Sequence, residues 1–182
     1  MNSYKAFLIV LLMSISQFFV GCRTYETLPE MAAHVDINRF MGTWYVHGYT
    51  PTVLDRNAFG ATESYELDDK GRILTTYQFR KGAFDGPLKT YKPVGKVVNA
   101  ETNAEWKMRF FTVISAPYLV LYVNADYTET LVGHPNLKMA WLMSRSPEIT
   151  EDRYADLIKE LENRSFDLTD FVRVPHQLKE AE

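Results

Sequence analysis

Apolar and polar residues alternate along most of this chain, and turn-forming residues interrupt the alternation at short intervals. Phe59 to Leu67 (FGATESYEL) alternates up to Asp-Asp-Lys-Gly at 68–71, and Ile73 to Arg80 (ILTTYQFR) then resumes. The pair predicts a β-hairpin. Lys89 to Val98 carries Pro93 and Gly95, which suits an edge, a bend or a bulge. In 105–113 (EWKMRFFTV), Trp106, Met108 and Phe110 share one face, with Lys107 and Arg109 on the other. YLVLYVNA (118–125), TETLVGH (128–134) and MAWLMSRS (139–146) follow, and with an opening strand around Trp44 the set reaches eight. Helical spacing comes only afterwards. In 150–164, Tyr154, Leu157, Ile158 and Leu161 fall at i, i+3, i+4 and i+7, with Thr150 as N-cap and Glu151 and Asp152 in the first turn. Their narrow apolar stripe predicts a helix lying on the outside of a wall of strands. A last extended piece, DFVRVPHQ, is expected to add beside it.

Eight short strands with tight turns and no intervening helix predict an all-β fold, a barrel or a sandwich. Closure removes exposed edges, and eight strands enclose room for one small ligand. The expectation is therefore an eight-stranded antiparallel up-and-down barrel with one C-terminal α-helix outside.

The first 21 residues read differently. Lys5 precedes an apolar run, AFLIVLLMSISQFFV (6–20), followed by Gly21 and Cys22. The run is short for a membrane span and no stop-transfer charges follow, so 1–21 reads as an export signal. The small residue before the cysteine resembles the lipobox of bacterial lipoproteins. That resemblance implies cleavage before Cys22 and acylation of that residue, hence an outer-membrane anchor. Arg23 to about Val35 is polar and unpatterned, so 22–35 reads as an acylated tether, 36–176 as the folded domain and 177–182 as a tail.

The signal holds one of the 20 basic side chains and none of the 23 acidic ones, leaving a net charge near −4. No basic footprint for nucleic acid exists. With a single cysteine, the domain has no internal disulfide and must be held by packing.

Three motifs then fall in order. Gly42-Thr43-Trp44 on the first strand is similar to the Gly-x-Trp signature of lipocalins. NADY (124–127), between the sixth and seventh strands, resembles their second block, and Arg145, at the end of the eighth strand, matches the third. With the lipobox, the chain over about 36–175 resembles the bacterial outer-membrane lipocalins, relatives of apolipoprotein D. Two positions depart from that pattern: Val46 stands where many relatives have glutamate, and Ala125 where the second block has threonine. The resemblance implies that Trp44 closes one end of the barrel beneath the Arg145 guanidinium, with Gly42 part of the same structural end.

The other end would hold a ligand. Strand parity points Trp106, Met108 and Phe110 inward, with Thr75, Tyr77 and Phe79 on the third strand and Tyr65 and Leu67 on the second. If Arg145 points to the base, Met139, Trp141 and Met143 share its side. Both faces of the sixth strand are apolar, and the resemblance favours Val120 and Tyr122. Glu63 shares the parity of Tyr65, so an inward carboxyl with a raised pKa is one reading and an exposed strand end the other. Such a lining suits a fatty acid or lysophospholipid.

Four scattered histidines (His34, His47, His134, His176) lack the spacing of a metal site, and neither a nucleophile elbow nor a phosphate loop occurs. No cofactor and no metal are expected. The expected function is a membrane-anchored lipocalin that binds lipid for transport, storage or scavenging under envelope stress. The expected partners are a lipid ligand and the membrane; whether it forms a homodimer is left open. The alternatives are a lipocalin-fold enzyme acting on a hydrophobic substrate, which would need titratable groups inside the barrel, and a structural envelope protein with a filled barrel.

Overall fold

The computed structural model describes Tyr25, residues 27–110 and residues 114–177. The signal segment, Cys22, residues 111–113 and the end of the tail lie outside the described residues.

The strands are β1 (Gly42–Tyr49), β2 (Ala58–Leu67), β3 (Ile73–Lys81), β4 (Leu88–Tyr91), β5 (Val94–Val97), β6 (Glu105–Phe110), β7 (Ile114–Val123), β8 (Glu129–Gly133), β9 (Ala140–Ser144) and β10 (Val172–Arg173). Each pairs antiparallel with its successor, except that β4 and β5 both pair with β3, and β9 returns to β1. The sheet therefore closes into an eight-stranded barrel in which β4 and β5 together make one wall position. They form a single strand in the sequence pattern. The break falls at Lys92-Pro93, where proline has no N–H to donate to a ladder. The last extended piece adds to β1 as β10, opposite Gly48 and Tyr49.

The hairpin at 68–71 forms as its residues suggest. Asp68 N donates to the Arg72 carbonyl at 3.0 Å, and Gly71 takes φ +68°, a left-handed conformation that glycine adopts without penalty.

Two helices complete the fold. A single turn, α1 (Ile37–Phe40), was not foreseen in the sequence; Asp36 caps it by accepting from Asn38 N and Arg39 N. The second, α2 (Glu151–Asn163), has Thr150 accepting from Arg153 N as N-cap, as its sequence predicts. Leu157 and Leu161 are fully buried, and with Phe166 they pack on Leu119, Leu121, Leu131 and Leu142 of the outer wall. Each such leucine contributes roughly 1.5–3 kcal/mol. Arg153 pins the helix by pairing with Glu129 at 2.7 Å and donating to the Tyr122 hydroxyl at 3.1 Å.

A second, larger core lies inside the barrel, where Phe40, Trp44, Tyr65, Phe79 and Trp106 are all fully buried. The stretch read as a tether is partly drawn into it. Val35 is fully buried, Ala32 N donates to the Val120 carbonyl at 3.0 Å, and Met31 packs nearby. Only part of 22–35 is thus available as a spacer, because its apolar residues find a place to bury.

Candidate functional site

Alternate strands run up and down, so the connections 68–72, 98–104 and 124–128 gather with α1 at one end of the barrel, and 50–57, 82–87 and 134–139 at the other. The first end is shut. Trp44 is completely buried and donates through Nε1 to the Phe40 carbonyl at 2.9 Å. The Arg145 guanidinium lies 3.7 Å from the Trp44 ring centroid. Its fork donates to the carbonyls of Thr43 (2.8 Å), Arg39 (3.0 Å), Phe40 (3.0 Å) and Met41 (2.7 Å), and Nε donates to that of Tyr127 at 3.3 Å. Gly42 has φ +95°, and a Cβ there would stand 3.2 Å from an Arg145 nitrogen. Glycine is favoured on both counts. Arg39 stacks on Tyr127 at 4.2 Å and donates to the Ala125 carbonyl, tying the second motif to the same floor.

Above the floor stands a stack of rings. Phe40 meets Trp106 edge-on at 5.2 Å, Trp106 lies parallel to Tyr118 at 5.3 Å, and Tyr118 faces Trp141 at 6.3 Å. Higher up, Phe79 stacks on Tyr91 at 6.2 Å, and Tyr77 meets Phe79 at 5.4 Å. Tyr77, Tyr91, Phe110 and Trp141 pack against this inner cluster yet are only half-buried, so the upper rings keep contact with solvent.

Polar groups enter among these rings. In register, Glu63 lies between Trp44 on β1 and Tyr77 on β3, and Tyr65 lies opposite Thr75. Tyr65 and Tyr118 share a hydrogen bond between their hydroxyls. Burial pushes the Glu63 carboxyl up to about 7; hydrogen bonding from Tyr65 opposes this and the Asp55 charge adds to it. Burial likewise raises Tyr65, Tyr77 and Tyr118, so these phenols stay neutral. Asp55, from the loop between β1 and β2, accepts from Thr52 N and Oγ1 and from the Tyr77 hydroxyl, while its carbonyl accepts from Tyr49.

Most of the residues expected inside are brought together there: Glu63, Tyr65, Thr75, Tyr77, Phe79, Trp106, Met108, Phe110, Val120, Trp141 and Met143. Three are not. Tyr122 points outward, toward α2, because the β7–β8 register shifts between Val120 and Tyr122. That bulge puts Leu121 and Tyr122 both on the outer face and returns Val123 to the inner one. Leu67 ends β2 beyond the floor and is exposed. Met139 precedes β9 and is half-buried, packed in neither core.

The sequence reading also missed inner residues. A bulge between Val46 and Gly48 turns His47 and Gly48 outward and brings Tyr49 in, against the simple alternation. Tyr118, by contrast, has the parity of Val120 and was readable. Asp55 comes from a loop with no periodicity to place it.

Outside the barrel, His47 and His176 meet at 5.1 Å, a convergence not expected from their spacing. They line a groove of about 480 Å³ with Pro147, Glu148, Arg173 and Pro175. His47 Nε2 is already engaged by Ser144 Oγ (2.8 Å) and the Ser146 carbonyl (3.0 Å), and His176 Nε2 by the Val46 carbonyl. Among the described residues, no three His, Cys, Asp or Glu side chains cluster as a metal site.

Comparison with known proteins agrees with this architecture. The family model described as Lipocalin-like domain matches residues 35–176. Temperature-induced lipocalin-1 of Arabidopsis thaliana is 24% identical over 154 residues, covering 80% of this chain and 82% of that protein. Outer membrane lipoprotein Blc of Escherichia coli K12 is 26% identical over 141 residues, covering 76% of this chain and 78% of that protein. Among solved structures, insecticyanin from the tobacco hornworm Manduca sexta superposes with a TM-score of 0.64 at 17% identity, over 84% of this chain and 85% of that one. Plant and bacterial relatives match about equally well, so similarity marks the family without favouring a branch of it. The chain belongs to the lipocalin family.

Proposed function

We propose that this lipocalin binds a single-chain amphiphile or a similarly slender apolar molecule in its barrel, for lipid transport, storage or scavenging. One observation carries the reading: the rings of Tyr77, Tyr91, Phe110 and Trp141 face the interior and yet keep solvent contact, as the walls of an open pocket do. No lysine or arginine is among the buried polar residues described. A fatty acid or lysophospholipid would therefore enter tail first and leave its charged head at the mouth, since a buried anion needs a partner. Acylation of Cys22 and an outer-membrane location belong to the same proposal. The lipobox-like sequence and the similarity to proteins named outer membrane lipoprotein support them.

Native mass spectrometry of the full-length chain, followed by lipid extraction and displacement of a fluorescent fatty acid, tests the reading. Trp141→Ala should weaken uptake by about tenfold, roughly 1.4 kcal/mol, with little loss of fold. A chain that carries no lipid and takes up no probe has a filled barrel and rejects the proposal. Release of a Cys22→Ser variant from the membrane fraction tests the anchor separately.

The carboxyl and phenols inside the barrel favour one further reading, acid–base catalysis on an apolar substrate by Glu63 with Tyr65. It requires a co-purified ligand to change covalently on incubation with the protein, and not with Glu63→Gln.

A further inference from the structure

The lumen is lined with acid and lacks base. Glu63 and Asp55 are both buried, but their situations differ. The Asp55 carboxylate is engaged by Thr52 N at 2.6 Å, Thr52 Oγ1 at 2.7 Å and the Tyr77 hydroxyl at 3.3 Å, so it holds its loop. Glu63 serves no such turn. Its register places it facing the barrel interior, buried but with 8% exposure, and Tyr65 is the group whose hydrogen bonding acts on its carboxyl. A second group there is unsatisfied. Thr75, opposite Tyr65 in register and 2% exposed, has a buried hydroxyl with no hydrogen-bond partner. A buried polar atom left so is costly unless something else meets it.

On two successive inward rows at the deep end of the lumen, then, stand a carboxyl with lone pairs to offer, an unpartnered hydroxyl diagonal to it, and the rings of Tyr65, Tyr77 and Tyr118. Carboxylate and hydroxyl oxygens accept hydrogen bonds, and ring faces attract cations. An anionic head in this place would meet Glu63 with no compensating cation. The Arg145 guanidinium lies beyond the Trp44 indole with its fork engaged by carbonyls.

We propose that the deep end of the lumen is a subsite for a cationic nitrogen: an alkylammonium whose N–H groups donate to the Glu63 carboxylate and Thr75 Oγ1, with the tyrosine rings around it and its alkyl chain rising to the mouth. The proposal rests on the barrel being a ligand pocket, and it names the ligand's class. A free amine and an aminophospholipid head group present the same ammonium. The free amine fits better, because a phosphate would be carried down beside Glu63.

The subsite should be pH-dependent. The titratable groups around Glu63 are Asp55 from the loop, Tyr49 on β1, Tyr65 on its own strand, Tyr77 on β3 and Tyr118 on β7. The buried phenols remain neutral, so Glu63 is the group that changes charge near neutrality. An ammonium needs it ionised, and a carboxylic acid needs it protonated.

The test is titration of the full-length chain with decylammonium, decanol and decanoate, read by tryptophan fluorescence, since Trp106 and Trp141 line the lumen. At pH 8 decylammonium should bind at least tenfold more tightly than decanol or decanoate, and at pH 5.5 the preference should disappear. Glu63→Gln should cut the ratio of decylammonium to decanol affinity tenfold or more, and Thr75→Val should cut it about threefold while serving as a second probe should Glu63→Gln fold poorly. Lysophosphatidylethanolamine binding more tightly than lysophosphatidylglycerol, with the difference lost in Glu63→Gln, would identify a head group as the ammonium's source. Equal or tighter binding of decanol or decanoate at pH 8 overturns the subsite and leaves the lipid pocket standing. Binding of none of them overturns both.

Discussion

The two ends of this barrel are built from the same kinds of residue and do opposite things. At the floor, rings and a cation are locked. Trp44 is fully buried, Arg145 lies across it at 3.7 Å, and the guanidinium donates to carbonyls contributed by Arg39, Phe40, Met41, Thr43 and Tyr127. In the lumen, rings and an acid are left open: Tyr77 and Trp141 keep solvent contact, Thr75 has no partner, and Glu63 keeps residual exposure. One indole separates them. The difference teaches that satisfaction of polar groups, more than the presence of aromatics, distinguishes the stopper of a barrel from its pocket.

The largest effect that can break this comparison is removal of the plug. Trp44→Ala should lower unfolding free energy by about 3–5 kcal/mol, by the cost of truncating a buried tryptophan, measured in urea. Unchanged stability would put the floor elsewhere. Arg145→Ala should cost about 2–4 kcal/mol, because it removes the cation–π contact and leaves carbonyl oxygens unpaired. Arg145→Lys should recover less than half of that, since an ammonium cannot replace a planar fork.

A smaller effect, on the order of 1–3 kcal/mol, sharpens the lumen side. Glu63 rises from 4.5 unfolded to about 7 folded, so its contribution to stability is full below pH 4.5 and is lost as pH rises toward 7. Glu63→Gln should therefore be more stable than the wild type at pH 8 and lose that advantage at pH 4.5. His47, on the outer wall, titrates the other way. Burial first, then His176, lowers it from 6.5 to about 4, so its contribution is full above pH 6.5 and is lost as pH falls toward 4. In the wild type the two slopes oppose each other across the same window. In Glu63→Gln the histidine slope should emerge, led by His47 and joined by His134 and His176, which burial also lowers, with stability rising between about pH 4 and 6.5. A flat profile in the variant would show that His47 does not titrate as its surroundings require, and equal slopes in variant and wild type would show the same of Glu63.

The smallest expected effect is Gly42→Ala. The left-handed φ and the guanidinium 3.2 Å away should together cost about 1 kcal/mol, visible as a small fall in Tm.

The contrast between the ends also marks what could be read in advance. Trp44, Gly42 and Arg145 were legible because each belongs to a short motif whose order along the chain is informative. The eight wall positions and α2 were legible because period two and period 3.6 are local properties. Inner residues on regular strands, such as Trp106, Met108 and Phe79, followed from parity. Tyr122 did not, nor did Tyr49, since one extra residue in a bulge reverses every face after it. Nothing in the local sequence of VLYV marks which residue is extra; the partner strand decides it.

The sequence by itself thus determined the strands, their antiparallel order, the outer helix and the residues of the stopper, because alternation, turns and motifs are written along the chain. Tertiary structure alone decided which faces the bulges exchange, that Asp55 would be engaged by its own loop, and that Glu63 and Thr75 would lie on neighbouring inward rows, the Thr75 hydroxyl without a partner. Those outcomes depend on the registers of strands distant in sequence. A carboxyl's pKa and a hydroxyl's missing partner are properties of what surrounds them, and the surroundings exist only once the barrel has closed.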